Sequence, residues 1–165
     1  MISPTQPPPV ILPRSVLAGL FHRCASLGDA GIAALIEAGD RTGAEAVALL
    51  GDAPDALPAV EFWAFLDEIL RKAGLGSISF KPGGGGFAAI AWHDSAEATA
   101  SGDGRCHFAT ALLRGVLSRV AGRAVEVAAV QCGGGTEPCW YLFGSAETIQ
   151  RVLADGPSPA GGPER

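Results

Sequence analysis

Residues 106–120, CHFATALLRGVLSRV, and residues 125–143, VEVAAVQCGGGTEPCWYLF, contain the pattern that decides the fold. The first stretch repeats its apolar side chains every three or four positions, which is typical of a helix with one buried face. The second stretch alternates with a period of two on both sides of a glycine-rich loop, which predicts a β-hairpin. Helices that come before antiparallel strands indicate the α+β class, with N-terminal helices packed on an antiparallel sheet.

The chain upstream of this stretch contains three helical patterns. Ser15 is the expected N-cap of the first helix. A second helix contains Gly39 and Gly43, and because Gly costs about 1 kcal/mol against Ala in a helix, we expect close helix packing at both positions. The clearest pattern runs over residues 58–73, where the apolar stripe consists of Phe62, Phe65, Leu66, Ile69 and Leu70.

The period then changes from helical to about two. Residues 77–80 predict a strand, residues 82–86 a turn, and residues 87–92 a buried strand, while residues 97–99 are interpreted as a third, edge strand. Near the end of the chain, Ser145 is the expected N-cap of a last short helix.

The two ends of the chain are rich in proline and glycine. Residues 1–9 are interpreted as a disordered lead and residues 156–165 as a disordered tail, which leaves one domain over residues 10–155. Within it, residues 10–12 predict a short strand.

Composition excludes several functional classes. The 165 residues carry a formal net charge of −5, and the twelve Lys and Arg side chains are scattered, so the basic patch expected of a nucleic-acid-binding protein is absent. The longest apolar run is far shorter than the roughly 20 residues of a membrane span, and residues 1–12 lack the features of a signal peptide. We therefore expect a cytoplasmic protein. The sequence contains neither a dinucleotide-binding fingerprint nor a nucleophile elbow, so an enzyme is not the first expectation.

Three cysteines fall at positions that the hairpin brings together. Cys106 opens the predicted helix, Cys132 ends one strand and Cys139 begins the next. Thiolates arranged in this way are ligands for Zn²⁺, which takes four protein ligands in structural sites. His107 and Glu137 are the nearest candidates for a fourth ligand. The alternative is that the cysteines are small core residues without a metal.

The combination of Cys106-His-Phe, Gly122-Arg-Ala-Val-Glu-Val, Gln131-Cys and Cys139-Trp-Tyr-Leu-Phe-Gly resembles the vinyl-4-reductase domain family. The resemblance covers residues 104–145 well and the upstream elements loosely. It implies a fold similar to TRAPP-core-subunit-like proteins, of the NO signalling/Golgi transport ligand-binding type, and to the sensor domains of phenol-responsive transcription activators. It also implies a homodimer with an apolar pocket between helices and sheet. Because the sequence contains no recognisable DNA-binding or ATPase module, we expect its output to pass through a partner protein.

The same resemblance bears on the metal. In the phenol-sensor relatives, three cysteines that match those of this chain hold a structural zinc, and a glutamate three residues before the strand cysteine completes the site. Here that position is Ala129, which has no donor atom. We therefore rank Glu137 or water ahead of His107 as a fourth ligand, because successive side chains on a helix diverge by about 100°.

The ligand pocket is predicted from aromatic and apolar residues of the helices and of the buried strand, with one polar group beside them. These candidates are Phe62, Phe65, Phe87, Ile90, Trp92, His93 and Phe108. For any one of the aromatic residues, the alternative is an ordinary core position. Trp63 lies off the main stripe and is a candidate for a partner surface.

These observations favour a non-enzymatic sensor or carrier domain that binds a small hydrophobic or aromatic molecule. The alternative is a structural or adaptor module used for dimerisation, as in vesicle-tethering subunits. A third interpretation is a role associated with a vinyl reductase. We expect a homodimer both from the resemblance and from the small residues Gly39 and Gly43, which would permit close approach of two helices.

Overall fold

The computed structural model describes residues 12–51, 57–100, 105–133 and 137–155. Within these ranges the chain forms an α+β fold, which confirms the predicted class. The elements, in chain order, are α1 (Arg14–Ala25), α2 (Asp29–Ala48), α3 (Ala59–Lys72), β1 (Ser77–Lys81), β2 (Phe87–His93), α4 (Ala96–Ala100), α5 (His107–Ala121), β3 (Glu126–Gln131), β4 (Cys139–Gly144) and α6 (Ala146–Ala154).

The four strands form one antiparallel sheet in the order β1-β2-β4-β3. Residues that face each other across an antiparallel pair lie on the same face, so the register Phe80↔Ile90↔Tyr141 and Trp92↔Cys139 defines one face of the sheet. Ile90, Trp92, Cys139 and Tyr141 are all buried. This face is therefore the one that the hydrophobic core covers.

The packing of α2 on α5 explains the two glycines inside α2. A Cβ atom at Gly39 would overlap the backbone oxygen of Phe108, and a Cβ at Gly43 would lie 2.8 Å from the oxygen of Leu112. The prediction of close helix packing is confirmed. The partner helix belongs to the same chain, however, so these glycines do not support a dimer, and using them for that purpose was wrong. The homodimer stays a prediction that rests on the resemblance.

One of the two predicted helix caps is confirmed. The Ser145 hydroxyl accepts a hydrogen bond from the Thr148 amide at 3.2 Å and begins α6. Ser15, by contrast, lies inside α1, because that helix begins at Arg14 with Pro13 as its N-cap. The Pro13 carbonyl accepts the amides of residues 16 and 17, so the backbone turns into the helix before Ser15 is reached.

The edge strand predicted at residues 97–99 was wrong, because these residues belong to helix α4. The Ser95 hydroxyl accepts a hydrogen bond from the Ala98 amide, and the Ser95 carbonyl accepts one from the Thr99 amide. This capping starts a helix at a point where the alternation of polar and small residues resembled a strand. As a result, Glu97 is placed in the interior.

Several predictions lie outside the described residues, namely the disordered lead and tail, most of the strand at residues 10–12, and the centre of the glycine-rich loop at residues 134–136. Among the helices that are described, none combines the length and the apolar character that a membrane crossing requires.

Candidate ligand cavity and cysteine cluster

The three late cysteines meet at one end of the sheet. Cys106 is the N-cap of α5, Cys132 directly follows β3 and Cys139 begins β4. The Sγ atom of Cys106 lies 3.0 Å from that of Cys132 and 3.8 Å from that of Cys139, and all three lie within 4.8 Å of one another. The predicted convergence is confirmed, and we refer to these three residues as the cysteine cluster.

Backbone packing brings the two hairpin cysteines together. A Cβ at Gly133 would overlap the backbone oxygen of Glu137, so the loop between the strands closes tightly only because residue 133 lacks a side chain. The Cys139 thiol also lies within hydrogen-bonding distance of the Gly133 carbonyl oxygen. The position of the cluster is thus fixed by the hairpin on one side and by the start of α5 on the other.

The three thiols interact strongly. Hydrogen bonds from the Cys106 and Cys132 thiols hold the pKa of Cys139 far below its ordinary value, while the same close contacts raise the pKa of Cys106. Three sulfur atoms this close together could bind a thiophilic cation, which would displace thiol protons.

The hydroxyl of Tyr141 lies beside this cluster in the interior. Tyr141 is fully buried, and hydrogen bonding from its hydroxyl acts to lower the pKa of both Cys106 and Cys139. Burial raises the pKa of Tyr141 well above its ordinary value, and its interaction with Cys106 raises it further. An O–H group in this position suits a sulfur that carries negative charge, so Tyr141 is the side chain best placed to donate to a metal-bound Cys106 thiolate.

The residues present supply three of the four ligands that a structural zinc site requires. Within the described part of the chain, no His, Asp or Glu side chain joins the three sulfurs to form a larger group. Glu137 is exposed and stays a predicted ligand, and His107 lies outside the group. Ala129 is exposed, pairs with Tyr141 on the neighbouring strand and offers no donor atom.

Glu97 is the buried carboxylate that the sequence did not reveal. Its side-chain oxygens accept the amides of Phe108 at 2.8 Å and Ala109 at 2.9 Å, so it caps the first turn of α5. Burial raises the pKa of Glu97 to about 7 despite these bonds, and the charge of Cys139 contributes to the rise. No local motif connects Glu97 with a helix that begins ten residues later, and its interpretation as part of a strand hid this role.

A cavity of about 230 Å³ lies between α1, α2, α4 and the start of α5. Its apolar lining includes Phe21, Ile32 and Leu35, and its polar lining consists of His22, Ser26, Glu97, Arg105 and His107. The Nδ1 atom of His22 lies 3.2 Å from the Ala100 carbonyl oxygen, which ties α1 to the end of α4. We name this space the helix cavity. Apolar walls with a few converging polar groups are typical of a small-molecule site.

A second, more open space of about 650 Å³ lies where the start of β2 meets the ends of α5 and β4 and the start of α6. Its lining is mainly apolar and includes Phe87, Leu117, Val120 and Phe143, with Arg123 as the charged residue. We name this space the sheet-end groove.

The seven predicted ligand-binding residues are not gathered around one cavity. Phe87 lines the sheet-end groove, and Phe65 is half-buried on α3. His93 is exposed at the end of β2. The other four residues, Phe62, Ile90, Trp92 and Phe108, are buried in the core.

Two aromatic contacts concern residues near these spaces. The ring centroids of Phe108 and Phe21 lie 5.1 Å apart, so Phe108 packs behind a residue that lines the helix cavity.

Trp63, which the sequence indicates as a candidate for a partner surface, is half-buried. Its ring stacks on that of Phe80 with a distance of 4.9 Å between the ring centroids.

The fold is similar to that of a known small-molecule sensory domain. The chain resembles the phenol-responsive sensory domain of the transcription activator PoxR, solved with phenol, with a TM-score of 0.68 at 14% sequence identity. The match covers 91% of this chain and 85% of that chain. No known family model and no curated protein matches the sequence. The likeness establishes the fold, and membership of the vinyl-4-reductase family stays a prediction.

Proposed function

We propose that this chain is a non-enzymatic domain that binds a small aromatic or hydrophobic molecule as a sensor or carrier. The observation that carries the proposal is the helix cavity, whose lining combines apolar side chains with the buried carboxyl group of Glu97 and the exposed imidazole of His22. A fold shared with a phenol-responsive sensory domain supports the same function.

The dimensions of the helix cavity suit a ligand with a single ring. Its volume of about 230 Å³ exceeds the roughly 150 Å³ of an apolar protein cavity that accommodates benzene. The polar groups lie on the sides formed by α1, α4 and the start of α5, while α2 supplies apolar side chains. A ring that carries one hydroxyl group could therefore place its hydroxyl toward Glu97 or His22 and its carbon atoms toward Leu35.

We further propose that the cysteine cluster holds a structural metal ion, with zinc as the first candidate and Glu137 or water as its fourth ligand. Such an ion would fasten the start of α5 to the hairpin. Metal analysis of the protein purified under reducing conditions tests this, with Cys132→Ser as the depleted variant. Zinc at one equivalent in the wild type and its loss in the variant are expected, and a metal-free wild type that does not take up zinc would contradict it.

The proposal extends to the location, the oligomeric state and the output partner of the protein. We also propose that the protein is a cytoplasmic homodimer of the vinyl-4-reductase type whose output passes through a partner protein, and the resemblance supports the dimer. Sedimentation at micromolar concentration tests the dimer, and a monomer would remove it from the proposal.

Ligand binding is tested with phenol as the probe, by calorimetry on the purified chain. We expect one phenol per chain, and no binding after Ala25→Phe, because Ala25 lines the helix cavity and a phenyl group there would fill it. Ala121→Phe fills the sheet-end groove instead. Ala34→Phe, at an exposed position of α2, is the matched control.

The three variants separate the possible outcomes. Loss of binding in Ala25→Phe alone supports the helix cavity. Loss in Ala121→Phe alone moves the site to the sheet-end groove. If neither phenol nor a panel of substituted benzenes binds the wild-type protein, the proposed function is wrong.

A further inference from the structure

The helix cavity and the cysteine cluster share one short segment of backbone. Arg105 and His107 both line the helix cavity, and Cys106 between them contributes its sulfur to the cluster. Successive side chains at the start of a helix point in different directions, so a single turn of backbone faces both sites. The backbone of this segment cannot move without changing the cavity wall and the position of the Cys106 sulfur together.

Glu97 makes a second connection between the two sites. Its side chain lines the helix cavity, and its oxygens hold the amides of Phe108 and Ala109 in the first turn of α5. Glu97 and Cys139 are also close enough to interact electrostatically. A ligand that contacts the Glu97 carboxyl therefore acts on the same helix start that positions Cys106.

The rest of the cavity wall strengthens this connection. Phe21 of α1 lines the cavity, and its ring packs against Phe108, the residue whose amide Glu97 holds. On the side of α2, Gly39 packs against the Phe108 backbone. Both walls of the cavity thus contact the first turn of α5.

We propose that binding of a thiophilic cation at the cysteine cluster and binding of a small aromatic molecule in the helix cavity are positively coupled through the first turn of α5. This inference rests on the proposed function, because it requires a ligand in the helix cavity. Each binding event orders residues 105–109, and the second event meets a segment that is already ordered. Coupling of this kind is reciprocal, so each occupant tightens the binding of the other by the same factor.

The test compares metal-free and Zn²⁺-loaded wild-type protein in calorimetric titrations with phenol. We expect phenol to bind the Zn²⁺-loaded protein about 5-fold more tightly or better. The reverse experiment measures Zn²⁺ affinity by competition with a chromophoric chelator, with and without saturating phenol. Linkage requires the same factor there, so a Zn²⁺ affinity that saturating phenol leaves unchanged would overturn the coupling.

The outcomes distinguish failure of this inference from failure of the proposed function. If phenol binds both forms with the same Kd, the coupling is wrong and the ligand-binding function stands. If neither phenol nor the panel of substituted benzenes binds either form, the proposed function fails and the coupling fails with it. If zinc binds without any effect on hydrogen exchange at the amides of Phe108 and Ala109, the shared segment is not the route.

Substitution of Glu97 tests whether this side chain couples the cysteine cluster to the helix cavity. Glu97→Gln keeps the shape of the side chain and one oxygen acceptor. Because Glu97 also faces the ligand, the substitution should weaken phenol binding to the metal-free and the Zn²⁺-loaded protein alike, and the ratio of the two Kd values should fall toward one. Glu68→Gln, at an exposed position on α3, is the matched control and should keep the wild-type factor. An unchanged factor in Glu97→Gln would overturn the role of Glu97 as a positioning residue.

Discussion

Replacement of Gly39 by alanine tests the contact on which the helical layer depends. Gly39 is buried in α2, where a Cβ atom would overlap the Phe108 carbonyl oxygen and lie 3.0 Å from the Cβ of Ala111. The carbonyl oxygen belongs to the backbone of α5, so no side-chain rotation relieves the overlap. The two helices must separate, and the first turn of α5 must move with them.

Two opposing effects set the change in unfolding free energy that Gly39→Ala causes. Gly→Ala within a helix contributes about 1 kcal/mol of intrinsic stability, whereas overpacking of a tight interface costs typically about 1–3 kcal/mol and occasionally more. For Gly39 the overlap is with backbone, so we expect the upper part of that range and a net loss of about 1–2 kcal/mol. For Gly43, where the nearest atom would be 2.8 Å away, a smaller loss is expected.

Gly19 supplies the matched control, because it lies in α1 and a Cβ atom there would meet no neighbouring element within 4 Å. Gly19→Ala should therefore stabilise the protein by about 0.5–1 kcal/mol through helix propensity alone. Urea denaturation followed by circular dichroism measures all three variants. An unfolding free energy for Gly39→Ala equal to or above that of Gly19→Ala would refute the close contact between α2 and α5.

Three further predictions concern the site. In the metal-free protein, burial raises the pKa of Glu97 from 4.5 to about 7, so the folded state holds the proton more tightly than the unfolded state. As the pH rises from 4.5 to about 7, the unfolding free energy of the wild type should therefore fall by up to about 3 kcal/mol relative to that of Glu97→Gln. A difference between the two proteins that does not change with pH in denaturation experiments would contradict this. Tyr141→Phe should weaken zinc binding about 10-fold, because it removes a buried hydroxyl that can donate to the Cys106 sulfur. Chelator competition measures the affinity, and an unchanged affinity would exclude the proposed donation. Ala129→Glu should tighten zinc binding about 10-fold, or about 1.4 kcal/mol, whereas Ala128→Glu on the opposite face of the sheet should leave the zinc affinity unchanged. Equal effects of the two variants in the same competition assay would show that position 129 has no access to the metal.

The parts of the fold that the sequence predicted well are those with a strong local signal. The stripe of α3, the hairpin on either side of Cys132 and Cys139, and the Ser145 cap each follow from residues within a few positions of one another. The same reasoning failed at residues 97–99, where the alternation of small and polar residues is compatible with a short helix and with a strand. The Ser95 side chain decided between them, since it caps α4.

The candidate site divides in a similar way. The cysteine cluster was predictable because a hairpin fixes two of its members and a helix start fixes the third. The helix cavity was not predictable, because its walls come from α1, α2, α4 and α5, whose mutual arrangement depends on tertiary packing. Gly39 and Gly43 did signal a close helix neighbour. The sequence alone could not show whether this neighbour is α5 of the same chain or a helix of a second copy.

The positions of the carboxylates around the cysteine cluster limit how this site can bind a metal. Ala129 removes the glutamate that the resemblance places on β3, and the buried carboxylate of this chain is instead Glu97 on α4. Glu97 cannot simply take over the missing role, because its oxygens already hold two amides of α5 and it does not join the group of three sulfurs. Its charge near Cys139 also opposes the build-up of further negative charge at the cluster. A divalent cation at the cluster would reduce that charge and would stabilise the buried carboxylate without direct coordination. Glu97 would then link the proposed metal site electrostatically to the helix cavity that it lines.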